Sequence, residues 1–231
     1  MYDERLKQSL PRVQERVAEA LARSGGDRDV KLVAVTKGHP VEAVAAAWRA
    51  GLRIVGENRV QELAAKRTEV PTDVGVSWHL IGHLQRNKVR QAVPLSDLIH
   101  SVDSIRLAQE LSKEAQRTGL SVAALVQVNV SGEETKGGFE GDGAVDRIGE
   151  VAALPGLSIM GLMTMAPFVD DEVVVRGTFR RTRELLERCV DTGVGLAGRE
   201  LSMGMSGDFE LAIEEGSTMI RLGTVLFGER T

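Results

Sequence analysis

The stretch Val30-Lys31-Leu32-Val33-Ala34-Val35-Thr36-Lys37-Gly38-His39-Pro40 decides the fold. From Leu32 to Val35 it is apolar without interruption. That reads as a strand buried on both faces, as in a parallel sheet, and it stops on a lysine followed by turn residues. Lys37 is thereby delivered to the rim of a core. Burial and neighbouring cations lower the pKa of an amine, and a partly desolvated lysine is a nucleophile that forms a Schiff base with an aldehyde. Taken alone, the stretch is better served by a lysine that merely ends a strand and faces water, so the other segments must decide.

Outward from this strand the chain alternates. Leu6, Leu10, Val13, Val17, Ala20 and Leu21 recur at spacings of three and four, which predicts an amphipathic helix over 3–23 despite Pro11, ended at Gly25-Gly26-Asp27. Strands are predicted at 31–36, 53–56, 77–81, 97–101, 122–129, 157–163, 198–202 and 218–222, with helices between them at 41–50, 58–68, 85–92, 104–118, 143–153, 171–191 and 207–215. Such alternation calls for right-handed crossovers and a parallel sheet. A doubly wound sheet would carry a Gly-rich phosphate turn after its first strand, where this chain has Lys37-Gly38-His39-Pro40. Eight units with candidate site residues after most strands favour an α/β fold of the (β/α)8 TIM-barrel type. It is read as one domain over 1–231, with an extra N-terminal helix and its site at the C-terminal rim. The segment 131–141 reads as a mobile loop on that rim.

Composition excludes several classes. Lys plus Arg is 29 and Asp plus Glu is 33, giving a net charge of −4 with no basic field to recruit nucleic acid or an anionic membrane. No run approaches the ~20 apolar residues of a spanning helix, and the N-terminus has no apolar signal region. A soluble, cytoplasmic protein is expected, and a monomer, since no conspicuous apolar patch asks for a partner. The single Cys189 sits in a helical apolar pattern and reads as packing.

The strand ends carry the chemistry. Asn58, after the second strand, is suited to cap the next helix and to donate to a ligand on the rim. His79 and His83 straddle a strand end with no carboxylate or cysteine beside them in sequence, so structural histidines are expected rather than a zinc site, with His79 the one to look inward. Gln127 and Asn129 share a face and point to the barrel interior. Met163 and Met165 suit core filling, with a sulfur beside a flat ring as the weaker option. Leu201-Ser202-Met203-Gly204-Met205-Ser206-Gly207-Asp208 runs from strand through a Ser/Gly turn to a helix start, whose free amides and dipole favour an anion. Asp208 and Glu210, in the first turn, are expected to face solvent. The eighth strand ends on Arg221-Leu222-Gly223-Thr224, and phosphate sites in such barrels commonly use the loops after strands seven and eight.

A Schiff-base lysine on strand one beside a phosphate cradle on strands seven and eight describes a phosphorylated aldehyde. Pyridoxal 5′-phosphate fits, and a phosphorylated sugar in an aldolase is the alternative. Arg221 separates them: an aldolase needs acid/base groups around its lysine, and none is evident beside Lys37. An arginine near a pyridine nitrogen disfavours ring protonation and so weakens the ring as an electron sink.

Ala34-Val35-Thr36-Lys37, Gly56-Glu57-Asn58-Arg59-Val60-Gln61-Glu62, His79-Leu80-Ile81-Gly82, Gln127-Val128-Asn129, Gly161-Leu162-Met163, the 201–206 stretch and Arg221-Leu222-Gly223-Thr224 together resemble the pyridoxal phosphate homeostasis protein family over nearly the whole chain. The resemblance implies a barrel similar to the cofactor-binding domain of alanine racemase, with pyridoxal phosphate held as a Schiff base on Lys37. It implies that Arg221 faces the pyridine nitrogen, that Ser206, Gly223 and Thr224 hold the phosphate, and that Asn58 and Met163 line the ring. Gly38-His39 and Arg59 depart from the family's pattern. The family lacks the second racemase domain and its acid/base residue, and Tyr2, placed before the first helix, is not expected to replace it. The implied function is a cofactor carrier or buffer in vitamin B6 homeostasis that passes the cofactor to apo-enzymes. A racemase or related pyridoxal-dependent enzyme is the rival.

Overall fold

Eight short parallel strands close into a barrel in chain order, which leaves no sheet edge unpaired. The computed structural model describes residues 1–26, 28–71, 73–130, 137–141 and 143–229. Its first half runs α1 (Tyr2–Arg23), β1 (Lys31–Val35), α2 (Val41–Arg49), β2 (Ile54–Glu57), α3 (Val60–Glu69), β3 (Ser77–Leu80), α4 (Val89–Ala92) and β4 (Leu98–Val102). The second half runs α5 (Ile105–Thr118), β5 (Val122–Gln127), α6 (Ala144–Ala152), β6 (Leu157–Met163), α7 (Glu172–Asp191), β7 (Glu200–Ser202), α8 (Phe209–Glu214), β8 (Met219–Leu222) and α9 (Thr224–Phe227). This is the (β/α)8 TIM barrel expected, preceded by the N-terminal helix. Within α1, Pro11 sits on the exposed face, so the carbonyl that loses its amide partner is open to water.

Closure is made by β8 against β1, with Lys31 opposite Met219 and Val33 opposite Arg221. In-register neighbours of a parallel sheet share a face, so Val33, Ile54, His79, Leu98, Gln127, Met163, Ser202 and Arg221 all point into the barrel. Val33, Leu98, Leu125, Met163 and Met219 form an apolar plug there. The larger core lies between barrel and helices, where α1 contributes Leu6, Leu10, Val13 and Ala20.

Several boundaries differ from expectation. The helix expected over 85–92 is a single α-turn between 3-10 turns at Arg86–Lys88 and Val93–Leu95, and Pro94 ends it by removing a donor. Asn58 does not cap α3. That helix starts later, with Arg59 at the cap position and no side-chain cap bond. Strand five stops at Gln127 because the next backbone groups bond to the 137–141 segment, with Phe139 N donating to Gln127 O (2.9 Å) and Asn129 N to Phe139 O (3.0 Å). Residues 131–136 of the expected rim loop lie outside the described residues. The four-residue α9 follows Gly223, a helix too short to show periodicity in sequence.

Candidate functional site

Lys37 is presented by a turn fastened from behind. Thr36 N donates to Gly56 O, and Lys66 Nζ donates to Thr36 O (2.7 Å), Glu57 Oε1 (2.7 Å) and Glu62 Oε1 (2.9 Å). Thr36 Oγ1 also donates to Glu57 Oε1 (2.5 Å), and the Gly38 amide to Glu62 Oε1 (2.6 Å). Gly38 has φ +74°, a conformation glycine adopts without steric cost, and this turns the chain directly after the lysine. Burial pushes the Glu57 carboxyl up, opposed by hydrogen bonds from Lys66 and Thr36. Glu62 is also desolvated, but Lys66 and the Gly38 amide carry it below its ordinary value. Nothing in the strand pattern marked this cluster. The Glu62/Lys66 spacing of four is the one signal that announced part of it.

A cavity of about 610 Å³ opens at the C-terminal rim, and Lys37, Ser206, Arg221, Gly223 and Thr224 all line it. The structure thus brings five of the seven anticipated side chains or turns together. Asn58 is exposed on the rim with its backbone against Gly82, and Met163 is buried in the plug beneath, so neither lines this cavity. Arg59 is exposed and also outside the lining.

The anion end is built from two turns. Met205 N donates to Asp208 Oδ1 (2.5 Å) and Asp208 N to Met205 O (3.1 Å), a closed turn that leaves the Ser206 and Gly207 amides out of its bonds. Gly223 packs where β8 meets β1, and a Cβ there would come within 3.3 Å of Val35 O. Asp208 departs from expectation: it lines the cavity half-buried, and burial raises its carboxyl against the pull of the Met205 amide and Arg221. Glu210 pairs with Arg16 of α1.

Between lysine and turns stands Arg221, 4% exposed, donating from Nη1 to Ser202 O and Oγ and from Nη2 to Thr164 O. Desolvation pulls its pKa down to about 10, with Asp208 opposing, and the group stays charged near neutrality. His79 does look inward, against His100. His83 has a carboxylate partner after all, since the fold brings Asp103 to 2.9 Å from its Nδ1. Gln127 and Asn129 spend their amides on Gly137 O and Glu140 Oε2, not on this cavity.

Two features are absent from the sequence reading. Tyr2 is the first residue of α1, and its hydroxyl lies 3.2 Å from Nδ1 of His39, a residue of the cavity wall. The 167–175 segment adds Phe168, Val169 and Val175 to the cavity lining and leaves Phe168 and Val173 exposed, apolar surface where none was expected. Pro167 and the start of the helix expected over 171–191 marked that segment in the sequence, without its place on the cavity.

Comparison with known proteins gives a consistent result. The family described as alanine racemase, N-terminal domain, matches residues 9–231. A pyridoxal phosphate homeostasis protein of Aquifex aeolicus is 43% identical over 222 residues, covering 96% of each chain. The solved structure of PipY from Synechococcus elongatus with PLP bound is 40% identical with a TM-score of 0.80, covering 92% of this chain and 100% of that one. An alanine racemase of Clostridium difficile, 18% identical with a TM-score of 0.75, shares the fold over 57% of its length.

Proposed function

The chain belongs to the pyridoxal phosphate homeostasis protein family, and from that premise we propose that residues 1–231 act as one pyridoxal 5′-phosphate-binding unit that holds the cofactor and releases it to apo-enzymes. The observation that carries this reading is one cavity whose wall joins the Lys37 amine, the Arg221 guanidinium and the Ser206 and Gly223-Thr224 turns. That donor set fits the group: an amine for an aldehyde, a donor-only cation for a ring nitrogen, and hydroxyls and free amides for a phosphate. When bound, pyridoxal phosphate supplies an aldehyde open to an amine and a ring that withdraws electrons once its nitrogen is protonated.

In this proposal Lys37 provides the covalent anchor, aimed by the Glu57–Lys66–Glu62 cluster behind it. Ser206, Gly223 and Thr224 hold the phosphate. Arg221 donates to the ring nitrogen and keeps a proton off it, which favours holding over carbanion chemistry. Asn58 and Met163 are left out of the set because neither lines the cavity, Met163 being packed in the apolar plug. The test is the visible spectrum of the protein mixed with pyridoxal phosphate, followed by borohydride reduction and mapping of the adduct. Lys37→Ala is expected to abolish both the absorbance and the adduct, and an adduct on another lysine would overturn the assignment.

One observation favours an enzyme as the second reading. His39 lines the cavity two residues from Lys37 with the Tyr2 hydroxyl on its Nδ1, a pair of the kind that moves protons. Progressive change of the enantiomer ratio of single L-amino acids, lost in both Lys37→Ala and His39→Ala, would establish turnover.

A further inference from the structure

Arg221 has five N–H groups, and three are spent inside the barrel: two from Nη1 on Ser202 O (2.8 Å) and Oγ (2.6 Å), one from Nη2 on Thr164 O (3.0 Å). What remains for the cavity is the Nε proton and one Nη2 proton. The grip on Nη1 does not end at Ser202. Ser202 Oγ lies 2.9 Å from His100 Nδ1, and His100 Nε2 lies 2.9 Å from His79 Nδ1. These three side chains come from β7, β4 and β3, and all are buried.

The protons in this chain have one satisfactory arrangement. Burial keeps both imidazoles neutral, His79 pulled down to about 4 and His100 well below its usual value, so each carries a single N–H. If His100 Nδ1 carried it, Ser202 Oγ would accept from both His100 and Arg221. The serine's own proton would then have no acceptor among the described residues, and a buried unpaired donor is costly. In the other arrangement Ser202 O–H donates to His100 Nδ1, His100 Nε2–H donates to His79 Nδ1, and the serine lone pairs are left for Arg221. Every link then carries one proton.

We infer that Ser202 and His100 are positioning residues that lock Arg221 as a fixed donor toward the cavity, so that a ring nitrogen facing it is held without a proton. The part concerning the ring rests on the cofactor reading above, whereas the proton order within the chain does not. Nothing about Ser202 as a strand residue announces the role, since its partners His100 and Arg221 stand on other strands.

Two measurements test this. In the unliganded protein at pH 7, long-range proton–nitrogen NMR is expected to find His100 and His79 both protonated on Nε2 and bare on Nδ1, and the reverse tautomer at His100 would overturn the inference. Second, ring-¹⁵N-labelled 4′-deoxypyridoxine 5′-phosphate, which has no aldehyde and cannot bond to Lys37, is added to the protein and to variants. The unmodified protein should bind it with the ring nitrogen unprotonated. Ser202→Ala and His100→Leu should weaken binding by about tenfold, the scale of one lost hydrogen bond to a charged group, and show a protonated ring. His100→Asn, which returns an acceptor oxygen to the Ser202 hydroxyl, should restore the unprotonated signal. Folded Ser202→Ala and His100→Leu proteins that keep the ring unprotonated would overturn the inference alone. No binding by the unmodified protein would overturn the cofactor reading, leaving the tautomer result to decide the chain. Where Ser202→Ala does not fold, the contrast between the two His100 variants decides.

Discussion

His79 shows how a single buried side chain imposes a pH dependence on the whole fold. Its imidazole is drawn down to about 4 chiefly by desolvation, from an ordinary value of 6.5, so between those two values the unfolded chain binds the proton and the folded one does not. The stabilisation is complete above about pH 6.5 and is lost as pH falls toward 4, a change of roughly 3 kcal/mol. Urea unfolding at pH 7 and pH 4.5 should therefore show a drop that His79→Asn, with no titrating ring, reduces. At the same scale Lys66 and Glu57 are a buried ion pair whose value is positional: such pairs gain little net energy against an apolar replacement, but they fix geometry. Here the geometry fixed is the backbone carbonyl of Thr36, one residue before Lys37.

Among the elements, β6 bends where the barrel needs it to. Its pairing with β5 shifts register between Ala124 and Leu125, and opposite that shift sits Gly161 with φ +143°, a backbone state that residues bearing a Cβ rarely adopt. A Cβ there would run into the Glu200 backbone on β7. Gly161→Ala is expected to lower stability by about 3 kcal/mol, read from the denaturant midpoint, because neither neighbouring strand can retreat without opening the barrel. The same element arithmetic explains α5, which forms as its spacing predicts because Ser104 accepts from the Leu107 amide and Gly119, in the left-handed conformation, ends it.

For the molecule as a whole, the N-terminal helix is part of the closure. α1 lies across α2, α8 and α9, pairs Arg16 with Glu210 and Arg23 with Glu214, and buries Leu6, Leu10 and Val13 against the barrel's outer layer. The exposed ion pairs add little, while each buried apolar side chain is worth about 1.5–3 kcal/mol. Removing residues 1–23 should lower the melting temperature by roughly 10 °C or more in calorimetry, at the 2–4 °C per kcal/mol expected for a chain of this size. The deletion also removes Tyr2 from His39, so the cavity wall is coupled to the helix that seals the barrel.

The architecture was legible because its determinants are local and repetitive. Runs such as Leu32–Val35 and Val122–Val126 have no face that tolerates water, and amphipathic spacing between them leaves parallel closure as the consistent outcome. That Lys37, Ser206, Arg221 and the Gly223-Thr224 turn share one rim was legible for the same reason, since the fold class dictates where strand ends gather. What only the tertiary structure decided are contacts between residues distant in sequence. Lys66 on the Thr36 carbonyl, Asp103 beside His83, Tyr2 on His39, and the His79–His100–Ser202–Arg221 chain are pairings set by barrel register and helix docking. Asn58 and Met163 are missing from the cavity lining for the same reason: being near a strand's end does not say whether a side chain faces the cavity or, as Met163 does, packs in the plug. A residue's period along one strand is written in its neighbours, whereas the group it meets across the barrel depends on how eight strands stagger when they close.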